Sequence, residues 1–378
     1  MSLEGLIMKC TATCLFGLES VLASELKRMN YENISSENGR VNFESDLYGI
    51  AKANINLRTA ERIYIELGNF EAKSFNELFD NTEKIQFSKF IDKNGEMPVN
   101  VSSISSELRS IPNCQSIAKK ALIKSMSRTY KIDKFSETDA KYPINVFIYK
   151  DLVRIYLDTT GISLYKRGYR TKGGEAPLKE TLASAIVQLS YWNKDKILVD
   201  PFCGSGTILI EAALIAKNIA PGLFRSFISE DWKIFVNDEW SKAKDYFESQ
   251  ITNENIEKMY GFDIDKEVIG NARINARKAK VSDIIEFRVS DFKDLQPPDE
   301  KGIIICNPPY GQRLEDIETA KQIYSDMSKA FSSFSKWSKY ILAPEKIFEV
   351  SYGKQADKRR KLYNGKILCN LYQYFGSK

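Results

Sequence analysis

Residues Ile197-Leu-Val-Asp-Pro-Phe-Cys-Gly-Ser-Gly-Thr207 run from a short apolar strand, through a turn with two glycines, into the apolar helical stretch 208–216. A buried strand that feeds a helix through so tight a turn rejoins its sheet by a crossover, which points to a parallel α/β architecture. The downstream pattern agrees. Short β-branched runs at 197–200, 258–263, 284–289, 302–306 and 339–343 alternate with longer helical stretches.

Upstream the pattern is different. Residues 6–14, 17–28, 40–44, 46–56 and 62–67 read as strand, helix, strand, helix, strand, a small α+β unit. A second α+β unit follows, with a helix at 74–81, a strand at 97–103, a helix at 114–130 and paired strands at 144–149 and 152–157 around a turn at Asp151. The stretch 159–177 holds four glycines and the basic residues Lys166, Arg167, Arg170 and Lys172, and reads as a connector carrying exposed charge. Three domains are expected, over 1–67, 68–159 and 160–378, in keeping with a length of 378 residues.

Composition removes several function classes. Histidine is absent, so every mechanism that needs an imidazole base is excluded. The cysteines (Cys10, Cys14, Cys114, Cys203, Cys306, Cys369) are scattered, with no second close pair to complete a metal site, so no metal is expected. No apolar run is long enough to span a bilayer and the first residues lack a secretory signal, so a cytoplasmic protein is expected. The net charge of +5 is modest but unevenly placed. Between Val101 and Lys134 seven basic residues face two acidic ones, a local excess equal to that of the whole chain.

The chemistry-bearing residues follow the strands. The glycine turn, with Asp200, Pro201, Cys203, Gly204, Gly206 and Thr207, reads as a cofactor cradle: the glycines let the backbone approach a ligand, and the helix start offers free N–H groups to an anion. Asp263, ending the next strand, can accept from both hydroxyls of a ribose, while Asp265 is placed to cap the following helix. Asp291 can accept from an adenine amino group, with Phe292 packed on the ring.

The most specific signal is Asn307-Pro-Pro-Tyr-Gly311. Pro308 and Pro309 stiffen the turn, so that Asn307 and the Pro308 carbonyl can both accept from one amino group while Tyr310 supplies a stacking face. Such a site suits an amine conjugated to a heterocycle. Hydrogen bonds to both of its protons make the nitrogen more pyramidal and its lone pair available for in-line attack on a sulfonium methyl, without a strong base.

In this order the segments resemble the class I S-adenosylmethionine-dependent amino methyltransferases. Leu164-Tyr-Lys-Arg-Gly-Tyr-Arg170, Ala176-Pro-Leu-Lys-Glu-Thr-Leu-Ala183, Asn307-Pro-Pro-Tyr-Gly-Gln-Arg313 and Arg360-Lys-Leu-Tyr-Asn-Gly365 are similar to the bacterial THUMP-domain guanine-N2 methyltransferases of large-subunit ribosomal RNA. Ala12-Thr-Cys-Leu-Phe-Gly-Leu-Glu19 resembles that family's N-terminal ferredoxin-like domain. The resemblance implies a ferredoxin-like domain, an RNA-binding THUMP domain at about 70–159 and a Rossmann-like catalytic domain. S-adenosylmethionine would be held by the Asp200, Gly204 and Gly206 turn at its methionine end, by Asp263 at the ribose and by Asp291 at the adenine, with Asn307 to Tyr310 on the target guanine and Asn307 beside the cofactor as well. Because the chain ends at Lys378, a single modification is expected.

Two features fall outside that scheme. Asp263 lies 63 residues after Asp200, and the long 218–257 segment between them, with Trp232 and Trp240, has no chemical explanation; its tryptophans read as core. Lys120, Lys124 and Arg128 recur every four residues as one basic stripe opposite Ile117, Ala121, Leu122 and Met126. With Lys166, Arg167 and Arg170 they are the candidate RNA contacts, and the run 358–361 admits the same reading. Rival functions are guanine-N2 methylation of transfer RNA, adenine-N6 methylation of DNA, and a non-catalytic RNA-binding assembly factor.

Overall fold

A computed structural model describes residues 5–170, 178–311, 314–345 and 347–377. Lys172 of the connector and Ala176, Pro177, Gln312 and Arg313 of the motifs quoted above lie outside the described residues. The chain divides into two compact units, each built on a seven-stranded sheet.

The first unit contains β1 (Met8–Cys14), α1 (Glu19–Arg28), β2 (Glu32–Glu37), β3 (Arg40–Ser45), α2 (Leu47–Asn56), β4 (Ala60–Glu71), α3 (Phe75–Glu83), β5 (Val99–Ile104), α4 (Ile111–Tyr130), β6 (Ile144–Tyr149) and β7 (Leu152–Asp158), although residues 14–22 group with the second unit. Its strand order is β2-β3-β1-β4-β7-β6-β5. The expected boundary at 67/68 falls inside β4, whose later half pairs with β7, so the two α+β patterns share a single sheet. The strand β2 was not legible. It is an edge of Glu, Asn and Ser around a single Ile34, with no buried residue, and it lacks the alternation that marks a strand with one face in the core. The turn at Asp151 forms as expected, with Lys150 and Asp151 both at positive φ (50° and 64°), as a two-residue hairpin requires.

The long interval between Asp200 and Asp263 is explained by the same unit. Residues 225–246 leave the second unit and join the first. There Trp232 is 2% exposed, stacks on Tyr142 with ring centres 4.9 Å apart, and donates its indole N–H to the Lys141 carbonyl at 2.8 Å. Trp240 stacks on Phe227, and Ser229 donates to the Thr159 carbonyl. Both tryptophans are core, and the segment is a clasp over one end of the α+β sheet.

The second unit contains α5 (Glu180–Leu189), β8 (Leu198–Asp200), α6 (Thr207–Ala216), the end of α7 (Glu239–Ser249), whose residues up to Tyr246 belong to the first unit, β9 (Met259–Asp263), α8 (Lys266–Lys278), β10 (Ile285–Val289), β11 (Ile303–Cys306), α9 (Leu314–Ala330), β12 (Ser338–Pro344), α10 (Phe348–Tyr352), β13 (Lys358–Asn364) and β14 (Ile367–Tyr374). Its order is β10-β9-β8-β11-β12-β14-β13. The first five are parallel, as expected; β14 runs antiparallel to β12, and β13 closes the edge. This final hairpin was not expected, because Lys358-Arg-Arg-Lys361 presents charge on both sides of an edge strand. From β8 the neighbouring strands proceed in opposite directions, β9 on one side and β11 on the other, which opens a crevice at their carboxyl ends. Among the described residues no helix is long and apolar enough to cross a membrane.

The clasp predicts a local effect. Trp232→Ala should destabilise the first unit by about 3 to 5 kcal/mol, the cost of truncating a fully packed aromatic. Urea unfolding would measure it, and the stability of the second unit should not change.

Candidate active site

A cavity of about 480 Å³ lies at the crevice, in the range of small-molecule sites. Pro201 and Phe202 after β8, Asp263 and Ile264 at the end of β9, and Asp291, Phe292 and Lys293 after β10 form part of its wall. Asn307, Pro308, Pro309 and Tyr310 after β11, with Ile323 and Asn364, form the rest. All four residues of the expected amine site and four of the expected cofactor residues (Pro201, Asp263, Asp291, Phe292) are thus brought together. Asn307 belongs to both sets.

The glycine turn divides its tasks. Gly206 caps α6 at φ 82°, and a Cβ there would sit 2.8 Å from the Phe287 ring, so this glycine serves close helix–sheet packing. Gly204, at φ 52°, is different: a Cβ on it would meet nothing within 4 Å, so its backbone borders open space. Its N–H donates to Asp263 at 3.1 Å, and the other oxygen of that carboxylate accepts from the Asp265 N–H. Asp265 caps α8 by accepting from the N–H groups of Glu267 and Val268, as expected. Asp291 caps a short turn through Lys293, while Phe292 packs against Phe202 with ring centres 4.8 Å apart.

These residues fit S-adenosylmethionine. Carboxylates stand at the ends of two adjacent strands, where ribose hydroxyls and an adenine amino group need acceptors, and Phe202, Phe292 and Ile264 supply apolar plates. Ile264 is 71% exposed, and that large apolar side chain between two aspartates was a signal not used in the sequence. Phe202, Lys293, Ile323 and Asn364 are further wall residues that the sequence did not single out.

Other expected residues stand elsewhere. Asp200, Cys203, Gly204, Gly206 and Thr207 are not on that cavity wall. Asp200 is 1% exposed and accepts from the Phe202 N–H at 3.1 Å, which shapes the turn from behind. The Cys203 thiol is buried against the Gly204 carbonyl, and the Thr207 hydroxyl accepts from Arg170 at 2.9 Å. Arg167 and Arg170 are not exposed RNA contacts. The Arg167 side chain is 2% exposed and pairs at 3.4 Å with Glu211 of α6, whose carboxylate also accepts from the Tyr169 hydroxyl. Arg170 pairs at 3.3 Å with Glu180 of α5, and burial pushes that carboxyl up to about 7 in spite of the arginine. The reason is physical: Arg167 and Arg170 reach carboxylates of α6 and α5 that are buried, and neutralise them. Lys166 alone of these three stays exposed.

Burial, with the nearby Asp263 adding to it, pushes the Asp200 carboxyl up to about 8. A folded-state value above the ordinary one means that its contribution to stability is complete below about pH 4 and is lost as the pH rises through 8. Without cofactor, the melting temperature should therefore fall as the pH rises from about 5 to about 8 and level off above that, and Asp200→Asn, a neutral isostere, should flatten that fall. Thermal melts of both proteins across this range would check it.

The comparisons with known proteins agree with this geometry. The family described as "RMKL-like, methyltransferase domain" matches residues 167–373, "RlmL ferredoxin-like domain" residues 9–64 and "THUMP domain" residues 72–158. The chain is 44% identical over 366 residues to the "Putative RNA methyltransferase YpsC" of Bacillus subtilis, covering 96% of this chain and 95% of that protein. It is 35% identical to the "Ribosomal RNA large subunit methyltransferase K/L" of Psychromonas ingrahamii, where the match covers 95% of this chain and 49% of the longer protein. Among solved structures, a "predicted N6-adenine-specific DNA methylase" from Listeria monocytogenes is 42% identical with a TM-score of 0.93, over 98% of this chain and 97% of that one. SMU.472, "a putative methyltransferase complexed with SAH", is 37% identical with a TM-score of 0.93, over 98% and 99%. A Rossmann-like sheet with its cavity at the switch point and the family match over residues 167–373 lead to one assignment: the chain belongs to the RMKL-like methyltransferases, enzymes that depend on S-adenosylmethionine.

Proposed function

We propose that this enzyme methylates the exocyclic N2 of a guanine in large-subunit ribosomal RNA, in the cytoplasm. The observation that carries the reading is the Asn307-Pro-Pro-Tyr310 loop, placed at the end of β11 on the wall of the cofactor cavity. Tyr324 donates to the Pro309 carbonyl at 2.7 Å, and among the described residues none donates to that of Pro308. The loop therefore keeps two acceptors for one amino group, the Asn307 carboxamide oxygen and the Pro308 carbonyl. When bound, the cofactor supplies an electrophilic methyl. The protein holds both N–H bonds of the amine, meets the positive charge that develops on nitrogen with two carbonyl oxygens, and needs no base before transfer because the proton leaves afterwards.

An RNA substrate is supported by the THUMP match and by the names of the two relatives. The 35% identical relative supports ribosomal over transfer RNA. Adenine-N6 methylation of DNA is the second reading, because the same loop suits that amine and the Listeria structure carries that description. Incubation with labelled cofactor and, separately, ribosomal RNA, transfer RNA and DNA, followed by digestion to nucleosides, tests the proposal. N2-methylguanosine from ribosomal RNA is expected; N6-methyldeoxyadenosine from DNA would overturn it.

Asn307→Ala should leave cofactor affinity nearly intact and lower single-turnover methyl transfer by at least roughly a hundredfold, as loss of transition-state positioning does. For RNA capture, Lys120 and Lys124 stand exposed on α4 opposite the buried Ala121, Leu122 and Met126. Arg128 is held to Glu83 by an ion pair at 3.6 Å and a bond to its carbonyl, so it adds less free charge to the stripe. Changing Lys120 and Lys124 to Gln should flatten the salt dependence of RNA binding by about two units of log–log slope, read from filter-binding titrations.

A further inference from the structure

A carboxamide has two ends of nearly the same shape, and only its hydrogen bonds decide which one faces a substrate. At Asn307 that choice is made by two other residues. The Tyr310 hydroxyl donates to Asn307 Oδ1 at 2.5 Å, and Asn364 Nδ2 donates to the Tyr310 oxygen at 3.2 Å. A phenol has a single hydrogen. With Asn364 donating to its oxygen, Tyr310 has that hydrogen to give, and Asn307 receives it on oxygen. The Cys369 thiol packs beside the same hydroxyl and is at best a weak acceptor.

The fold holds Asn364 where this requires. It is the last residue of β13 and faces Ile367 across a two-residue turn in which Gly365 takes φ 62°. Asn364 also lines the cofactor cavity itself, while Tyr310 lines both that cavity and an adjoining one of about 490 Å³ walled by Ile317, Pro344, Ile347 and Ile367. Tyr310 therefore borders two cavities, and its hydroxyl carries the hydrogen bonds that tie it to Asn307 and Asn364.

We propose that Asn364 is a positioning residue of the amine site: acting through the Tyr310 hydroxyl, it fixes the Asn307 carboxamide with its oxygen toward the target amine. The second lone pair of Asn307 Oδ1 remains for the substrate, because a carbonyl oxygen accepts two hydrogen bonds. The role rests on the assignment of Asn307 to the target amine made above. If Asn364 were an acceptor instead, Tyr310 would donate to it, and Asn307 would turn its NH2 to the phenol oxygen.

Single-turnover methyl transfer at saturating RNA and cofactor, with cofactor affinity measured by calorimetry, tests this in wild type, Asn364→Leu, Tyr310→Phe and the double variant. Asn364→Leu should lower the rate constant about tenfold, the scale of one hydrogen bond in a pre-organised site. In the Tyr310→Phe background the same substitution should change it less than twofold, because the connecting hydroxyl is already gone. Cofactor affinity should be unchanged throughout. Asn364→Asp keeps the shape, offers only acceptors and should behave like Asn364→Leu, so it replaces that variant if the leucine fails to fold. Asn307→Ala is measured alongside. Full activity in Asn307→Ala would overturn the amine-site assignment itself. With Asn307→Ala inactive, a wild-type rate in Asn364→Leu, equal losses in both backgrounds, or weakened cofactor binding would overturn the positioning role alone.

Discussion

The crevice at β8 exists because its two neighbours are reached in opposite directions along the sheet, and the site depends on that divergence being held shut at one point and open at another. The Asp263 carboxylate is the holding point. By accepting from the Gly204 and Asp265 N–H groups it ties the glycine turn to the adjacent strand end and to the start of α8. The same side chain stands on the cavity wall, so the residue that closes the turn also presents an acceptor to the cavity. Its two oxygens keep lone pairs beyond the two bonds the fold takes.

Buried charge is the second organising theme. Arg167 with Glu211 and Arg170 with Glu180 lie beneath α5 and α6, close to the turn that begins α6. A buried pair of this kind contributes little net stability over an apolar replacement, but loss of one partner leaves an uncompensated charge at a cost of about 3 to 5 kcal/mol. The segment 167–170 is thereby fixed to the two helices. Arg167 and Arg170 are part of the scaffold beside the turn that begins α6 and not a surface for phosphates.

The sequence was most informative where chemistry and geometry coincide. The five parallel strands, the Asp265 cap, the Asp151 turn and the Asn307 loop were all readable, because each rests on a local rule: β-branched runs, a capping aspartate, positive φ, proline stiffness. Features set by distant contacts were not. Nothing in Lys166 to Arg170 reveals that Glu180 and Glu211 wait behind it, and nothing in Asn364 reveals Tyr310, 54 residues away. The strands β2 and β13 escaped because edge strands carry no buried periodicity. The family resemblance supplied the order of the domains, but it did not show that β4 runs through two of them.

The clasp at 225–246 makes the two units interleave in sequence, since the first receives its final core residues from the middle of the second. Synthesis proceeds from the N-terminus, and domains generally fold as they emerge. Here the α+β sheet can be complete in all its strands while Tyr142 still lacks the Trp232 ring that covers it. The nascent first unit therefore waits, with that surface open, until β8, the cofactor turn and α6 have all left the ribosome. Its completion is timed by the appearance of the catalytic unit's opening strand and helix, so a chain interrupted before the clasp yields neither unit in finished form.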